Sequence, residues 1–130
     1  MSVETQGHRI RVEPATSHVK IAVNGHILAD THQPVLLHET GLPTRYYIRR
    51  GDVRMQLLSP TDKQTECPFK GSASYWSLDT GDETVPNLVW CYEAPIEGAE
   101  GIAGLLCFYN EKVDLEVDGE LLPRPDTPWS

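Results

Sequence analysis

Cations are scarce in this chain, and long apolar runs are missing. Lysine and arginine total 11 against 19 aspartate and glutamate, a formal net charge of −8. A surface this acidic repels phosphate backbones and anionic head groups, so neither nucleic acid nor membrane partners are expected. The longest apolar run, Gly101 to Tyr109, falls far short of the roughly 20 residues that span a bilayer. Met1 to Val12 carries His, Arg and Glu, where a signal peptide needs an unbroken apolar stretch. The expected compartment is the cytoplasm.

Cysteine is also sparse. Cys67, Cys91 and Cys107 are odd in number, and none sits in a Cys-x-x-Cys spacing. A structural zinc site wants four Cys or His ligands, usually delivered as two close pairs. The five histidines, at 8, 18, 26, 32 and 38, are scattered, and Pro34 and strand geometry undercut a His32/His38/Glu39 grouping. No metal site and no cofactor are expected. Ser/His/Asp order, a phosphate-binding glycine loop, a dinucleotide fingerprint and a His-x-x-x-His pair are absent too.

What is there is one domain's worth of chain. Its 130 residues are 39% apolar and 23% charged, near the average for a globular domain. Ten prolines and ten glycines are spread along it as punctuation between short strands. Arg9 to Val12 reads as a strand with Ile10 and Val12 inward. Asn24-Gly25 is the clearest hairpin signal, because a type I′ turn needs positive φ at both positions. That register sets Val23 opposite His26 and Ile21 opposite Leu28.

Val35 to Glu39 and Arg45 to Ile48 are further strands. Asp52 can cap a short helix carrying Val53 and Leu57, which Ser59-Pro60 ends. Phe69 to Leu78 reads as one long strand, Leu88 to Tyr92 and Leu105 to Tyr109 as central ones. Pro95 to Gly104 is a loop with at most one helical turn. Val113, Leu115 and Val117 alternate with Asp114, Glu116 and Asp118, the cleanest period of two in the chain. Asp118-Gly119 offers a second tight turn. The sum is a mainly β fold of about eight to ten short strands with one or two short helices. The domain covers 1–122, and 123–130 forms a loose tail pinned by Trp129.

The order of Asn24-Gly25, Ala29-Asp30-Thr31, Glu39, Tyr46-Tyr47, Asp52-Val53, Thr65-Glu66-Cys67-Pro68-Phe69-Lys70-Gly71, Tyr75-Trp76, Val89-Trp90-Cys91-Tyr92 and Phe108-Tyr109 resembles a bacterial family, domain of unknown function 427. Cys-Pro-x-Lys-Gly is its most specific segment. The resemblance implies a β-tent, two antiparallel sheets splayed from a ridge with a cleft between them. Similar, Mss4-like tents occur in methionine sulfoxide reductase B, in a Rab-binding zinc chaperone and in the drug-binding domain of cereblon. Those relatives commonly hold a Cys₄ zinc site, which this chain lacks the cysteines to build. The family carries no settled activity, and no Gly-Ser with paired aspartates supports nucleotidyl transfer.

Three charged or nucleophilic residues stand out. Cys67 is either a reactive thiol or a small apolar residue at a strand entrance. In an extended chain Lys70 lies roughly 10 Å away on the opposite face, so pairing requires a turn at Cys67-Pro68. Lys70 shares a strand face with Ser72, Ser74 and Trp76, and either binds a polar, planar or anionic ligand or lays its stem across Trp76. Glu39 is a cleft base or a partner for Arg45 or Lys70. Arg45, Arg49, Arg50 and Arg54 read as a solvated basic surface, and Cys91 and Cys107 as core. Tyr46, Tyr47, Tyr75, Trp90 and Tyr92 with Lys70 are the expected pocket.

The leading expectation is a small polar or aromatic ligand bound in a cleft between the sheets. One alternative is an enzyme using Cys67 or a Glu39/Lys70 pair. Another is an interaction module with a filled cleft and a flat apolar patch. Oligomeric state is left open by the sequence.

Overall fold

Val19, Ile21 and Val23 alternate with Lys20 and Ala22, and the structure buries the first three and leaves the other two half-exposed. The same period-two logic, one face inward and one outward, builds nearly the whole chain. The computed structural model describes residues 7–130 in full and residues 2–5 as backbone. Among them, twelve strands run in chain order. They are β1 (Ser2–Thr5), β2 (His8–Pro14), β3 (Val19–Val23), β4 (His26–Thr31), β5 (Val35–Glu39) and β6 (Arg45–Ile48). Then follow β7 (Leu58–Cys67), β8 (Gly71–Asp79), β9 (Thr84–Cys91), β10 (Leu106–Phe108), β11 (Asp114–Val117) and β12 (Glu120–Leu121).

They pair into two antiparallel sheets. An eight-stranded sheet has the order β1-β2-β5-β6-β10-β9-β8-β7, and a four-stranded sheet the order β12-β11-β3-β4. Buried apolar side chains from both sheets, among them Ile10, Val19, Ile21, Leu28, Ile48, Leu88 and Leu115, form one cluster. Ile10 and Val12 point inward as expected, and Cys91 and Cys107 are wholly buried. No described helix is long and apolar enough to cross a membrane.

Local chemistry accounts for the turns. Asn24 and Gly25 take φ of 47° and 83°, the positive values a type I′ turn demands, and Val23 faces His26. Beyond that pair the ladder slips by one residue at a bulge between Ile21 and Ala22, so Ile21 meets Ala29 instead of Leu28. Asp118 and Gly119 repeat the turn chemistry at 51° and 85°.

The expected helix at Asp52 does not form. Two single 3₁₀ turns, Arg50–Asp52 and Met55–Leu57, stand there, and neither has a side-chain cap. Asp52 is engaged elsewhere, accepting from the Arg49 guanidinium and the Thr31 hydroxyl at 2.7 Å each. Pro60 does not end a helix; it sits at the bulged start of β7. That strand is ten residues long, lies at the sheet edge and keeps most of its side chains in solvent. An edge strand tolerates proline and needs no apolar alternation, so the pattern that betrays a buried strand is missing. A third 3₁₀ turn, Glu100–Ile102, lies in the expected loop and packs on β2. There a Cβ on Gly101 would come within 2.8 Å of Val12.

The tail is tethered. The Thr127 hydroxyl donates to Glu111 at 2.5 Å, and the Arg45 guanidinium lies 5.8 Å from the Trp129 ring centre.

Candidate functional site

Strand register assembles the site. Directly opposed residues share a face, and the ladder sets Tyr47 against Cys107, Cys107 against Trp90, and Trp90 against Tyr75. Four adjacent strands thereby present one row of side chains. Arg45, two residues before Tyr47, stands on the same face, and so does Glu39, two residues beyond Leu37, whose ladder partner is Arg45. A cavity of about 330 Å³ opens on this face. Tyr75, Trp90, Tyr92, Tyr109 and Trp129 wall it, with Glu39, Lys70 and Cys67 as its chemical groups and Arg45 and Lys63 along its side.

The cavity's position corrects the expected cleft. Every strand that lines it belongs to the eight-stranded sheet, and Trp129 of the tail completes it. No residue of the four-stranded sheet takes part, so the hollow lies on one sheet and not between two.

Lys70 is placed by a turn. Its backbone N–H donates to the Cys67 carbonyl at 3.2 Å, which closes the chain between β7 and β8. Gly71 follows with φ of +116°, a conformation that side chains resist. This break in alternation separates Lys70 from the strand face of Ser72, Ser74 and Trp76. The lysine lines the cavity together with Tyr75, and Trp76 lies on the reverse face beneath the Arg50 guanidinium, 5.3 Å from its ring centre. The Lys70 stem therefore does not lie across Trp76.

Lys70 is 8% exposed. Its ammonium donates to Glu39 at 2.8 Å and sits 5.7 Å from the Tyr92 ring centre. The other oxygen of Glu39 meets His8 Nε2 at 2.9 Å, and the His8 ring stacks on Phe69 at 4.2 Å. Of the two partners open to Glu39, the structure selects Lys70 and adds His8. Burying an ammonium and a carboxylate is tolerable only as such a hydrogen-bonded pair.

Arg45 is not part of a basic surface. It is 5% exposed and makes two bonds to Glu111, at 2.6 and 2.9 Å, and one to Asn110. Its guanidinium lies over Trp90 at 5.3 Å and Tyr109 at 5.9 Å. Desolvation pulls its pKa down, but the Glu111 carboxylate more than reverses this and raises it. Burial pulls Glu111 up, and hydrogen bonds from Arg45 and Thr127 outweigh it, holding that carboxyl below its usual range. Arg49 and Arg50 are paired with Asp52 and Glu93.

Among the expected pocket residues, Lys70, Tyr75, Trp90 and Tyr92 meet at the cavity. Tyr47 stands behind its wall, fully buried, its hydroxyl accepting from the Trp90 indole at 3.0 Å. Tyr46 is on the reverse face, because neighbours on a strand point opposite ways. Tyr75 is steadied by a bond between its hydroxyl and Thr65 at 2.9 Å, with the Lys63 ammonium 4.6 Å from its ring centre. Burial raises the pKa of both Tyr47 and Tyr92, so their hydroxyls stay protonated at neutral pH.

Cys67 lines the cavity half-buried. Burial pushes the Cys91 and Cys107 thiols up to about 12, leaving them inert. Sequence reasoning missed Tyr109 and Trp129 as cavity walls and His8 as the second partner of Glu39. Only Trp129 had a signal, as an apolar ring in a proline-rich tail. His32, His38 and Glu39 do not come together. His38 contacts Thr44 and Glu13, and His32 stacks on His18.

A family model described as a domain of unknown function (DUF427) matches residues 11–119. No curated protein matches the chain.

Proposed function

The chain belongs to the DUF427 family, a description that assigns no activity, and from the cavity we propose that it binds a small, polar, planar or aromatic ligand. One observation carries the reading: Lys70, almost wholly buried, lines an open hollow walled by Tyr75, Trp90 and Tyr92. Aromatic walls with a few convergent polar groups are what small-molecule sites offer. An ammonium has three donors, and Glu39 takes one of them, so a ligand oxygen or nitrogen accepts from the same group while its ring lies against the aromatic wall. The cations of the cavity are largely offset: Lys70 by Glu39, and Arg45 by Glu111. This balance favours a ligand of low net charge over a multiply charged phosphate.

The test is a thermal-shift screen of planar heteroaromatic and carboxylate fragments. Lys70→Ala and Trp90→Ala are expected to abolish the shift produced by a hit. Binding unchanged in both variants moves the site elsewhere. An interaction module would have a filled cleft; the space beside Lys70 favours a ligand.

The enzyme reading is second, and it draws on Cys67. This thiol shares the cavity with Lys70 and Glu39, and the turn at Pro68 brings its backbone to Lys70. A hit that protects Cys67 from alkylation supports placing the thiol beside the ligand. Equal, slow alkylation of all three cysteines removes it.

A further inference from the structure

The four-stranded sheet carries a second group of ligating side chains, remote from the cavity. Val19 pairs with Thr31 in the β3–β4 ladder, and the next residues outward, His18 and His32, face each other with rings stacked at 4.0 Å and 15°. Asp30 lies in β4 and His32 just beyond its end, on either side of the buried Thr31 and both exposed. His18 Nε2 and Asp30 Oδ1 are 2.6 Å apart. One ligand atom from each of His18, Asp30 and His32 lies within 4.8 Å of the others.

The backbone beneath them is fixed. His18 donates its N–H to the Asp118 carboxylate at 2.9 Å and accepts from the Asp118 N–H at 2.8 Å. Thr31, between Asp30 and His32, is 1% exposed and tied to Asp52. The group faces solvent, so an ion reaches it without any opening of the fold. Asp118 adds negative charge close by, the charge of Asp52 is already matched by Arg49, and Lys20, the ladder partner of Asp30, opposes entry.

We propose that His18, Asp30 and His32 form a surface site for a divalent transition metal of the zinc class. Two imidazoles and one carboxylate match the donor set that such borderline ions take, with remaining positions left to water. Bonds of about 2 Å place ligand atoms roughly 3.3 Å apart around a tetrahedral ion. The rings tilt out of their stack to meet it, and the metal takes the place of the contact between His18 Nε2 and Asp30 Oδ1. The site shares no residue with the cavity and stands or falls independently of the ligand proposed there.

Isothermal titration of the full chain with zinc chloride tests it. One saturable site is expected, weakened in His18→Ala and in His32→Ala by at least the ~10-fold that even outer-shell partners cost. The site is expected to be unchanged in His26→Ala, at the other end of the hairpin. Both histidines lie at the surface, and a thermal melt checks that the variants fold. In the wild type, zinc is expected to move the ring NMR signals of His18 and His32. Zinc binding that survives in the His18→Ala/His32→Ala double variant overturns the proposal. So does zinc that perturbs His8, His26 or His38 in their place, or a wild type without saturable binding.

Discussion

Replacing Glu111 by alanine strips a buried guanidinium of its partner. Arg45 is 5% exposed and Glu111 6%, and two charge-assisted bonds of 2.6 and 2.9 Å join them beneath the rings of Trp90 and Tyr109. The freed cation is 5% exposed, and among the described residues the Asn110 oxygen is the strong acceptor left to it. Breaking a buried pair from one side costs about 3–5 kcal/mol, a large part of the roughly 5–15 kcal/mol that holds a typical domain together. For a chain of this size the melting temperature is expected to drop by about 10–20 °C. Urea unfolding followed by tryptophan fluorescence reads the cost directly. The double variant Arg45→Met/Glu111→Leu separates the cost of an orphaned charge from the worth of the pair. It is expected to recover most of the loss, because apolar replacement of both partners is often close to neutral. A cost below ~1 kcal/mol for Glu111→Ala, as for a solvent-exposed pair, refutes the reasoning.

Native labelling with a chromogenic disulfide, by thiol–disulfide exchange that releases the coloured thiolate, is expected to modify Cys67 first. Cys91 and Cys107, with thiols near 12, should react only after unfolding, and equal rates for all three contradict the placement. Stability is expected to fall on acidification. Glu111 titrates below the usual range of a glutamate in the folded state, and Asp52 below that of an aspartate, through hydrogen bonds from Arg49 and Thr31. Their stabilisation is full above the unfolded values and is lost as pH falls through the folded ones, which urea melts between pH ~5 and ~3 will follow. The slope should flatten in Glu111→Gln. Gly71→Ala forces a side chain into φ of +116°; a loss of about 1–3 kcal/mol and weaker ligand binding through a displaced Lys70 are expected, and an unchanged melt counts against the strain.

The parts of the fold that could be read in advance are those whose signal is local. Asn24-Gly25 and Asp118-Gly119 announce their turns, and the alternation around Ile21 and Leu115 announces inward and outward faces. β7 escaped because it is an edge strand: its sequence, Leu58 to Cys67, is polar nearly throughout, and solvent asks nothing else of it. The short helix at Asp52 was expected from a cap residue and two apolar side chains, but Arg49 and Thr31 compete for the carboxylate and the chain turns twice instead. At the site, Lys70, Tyr75, Trp90 and Tyr92 were legible as an aromatic group with a cation. The face carrying Lys70 was not, since positive φ at Gly71 resets the alternation. Tyr46 and Tyr47 stand side by side in the sequence, but strand geometry sends them to opposite faces. The Arg45–Glu111 pair spans 66 positions, a distance over which no local pattern reports.

The central claim, a ligand seated beside Lys70 on one face of the eight-stranded sheet, has a built-in reporter. The chain holds three tryptophans: Trp90 and Trp129 line the cavity, and Trp76 lies on the reverse face. Nitrogen-15 NMR resolves one indole signal for each. Titration with a screening hit is predicted to move the Trp90 and Trp129 signals and leave Trp76 in place. A hit that shifts Trp76 alone, or binds with all three unmoved, contradicts the account.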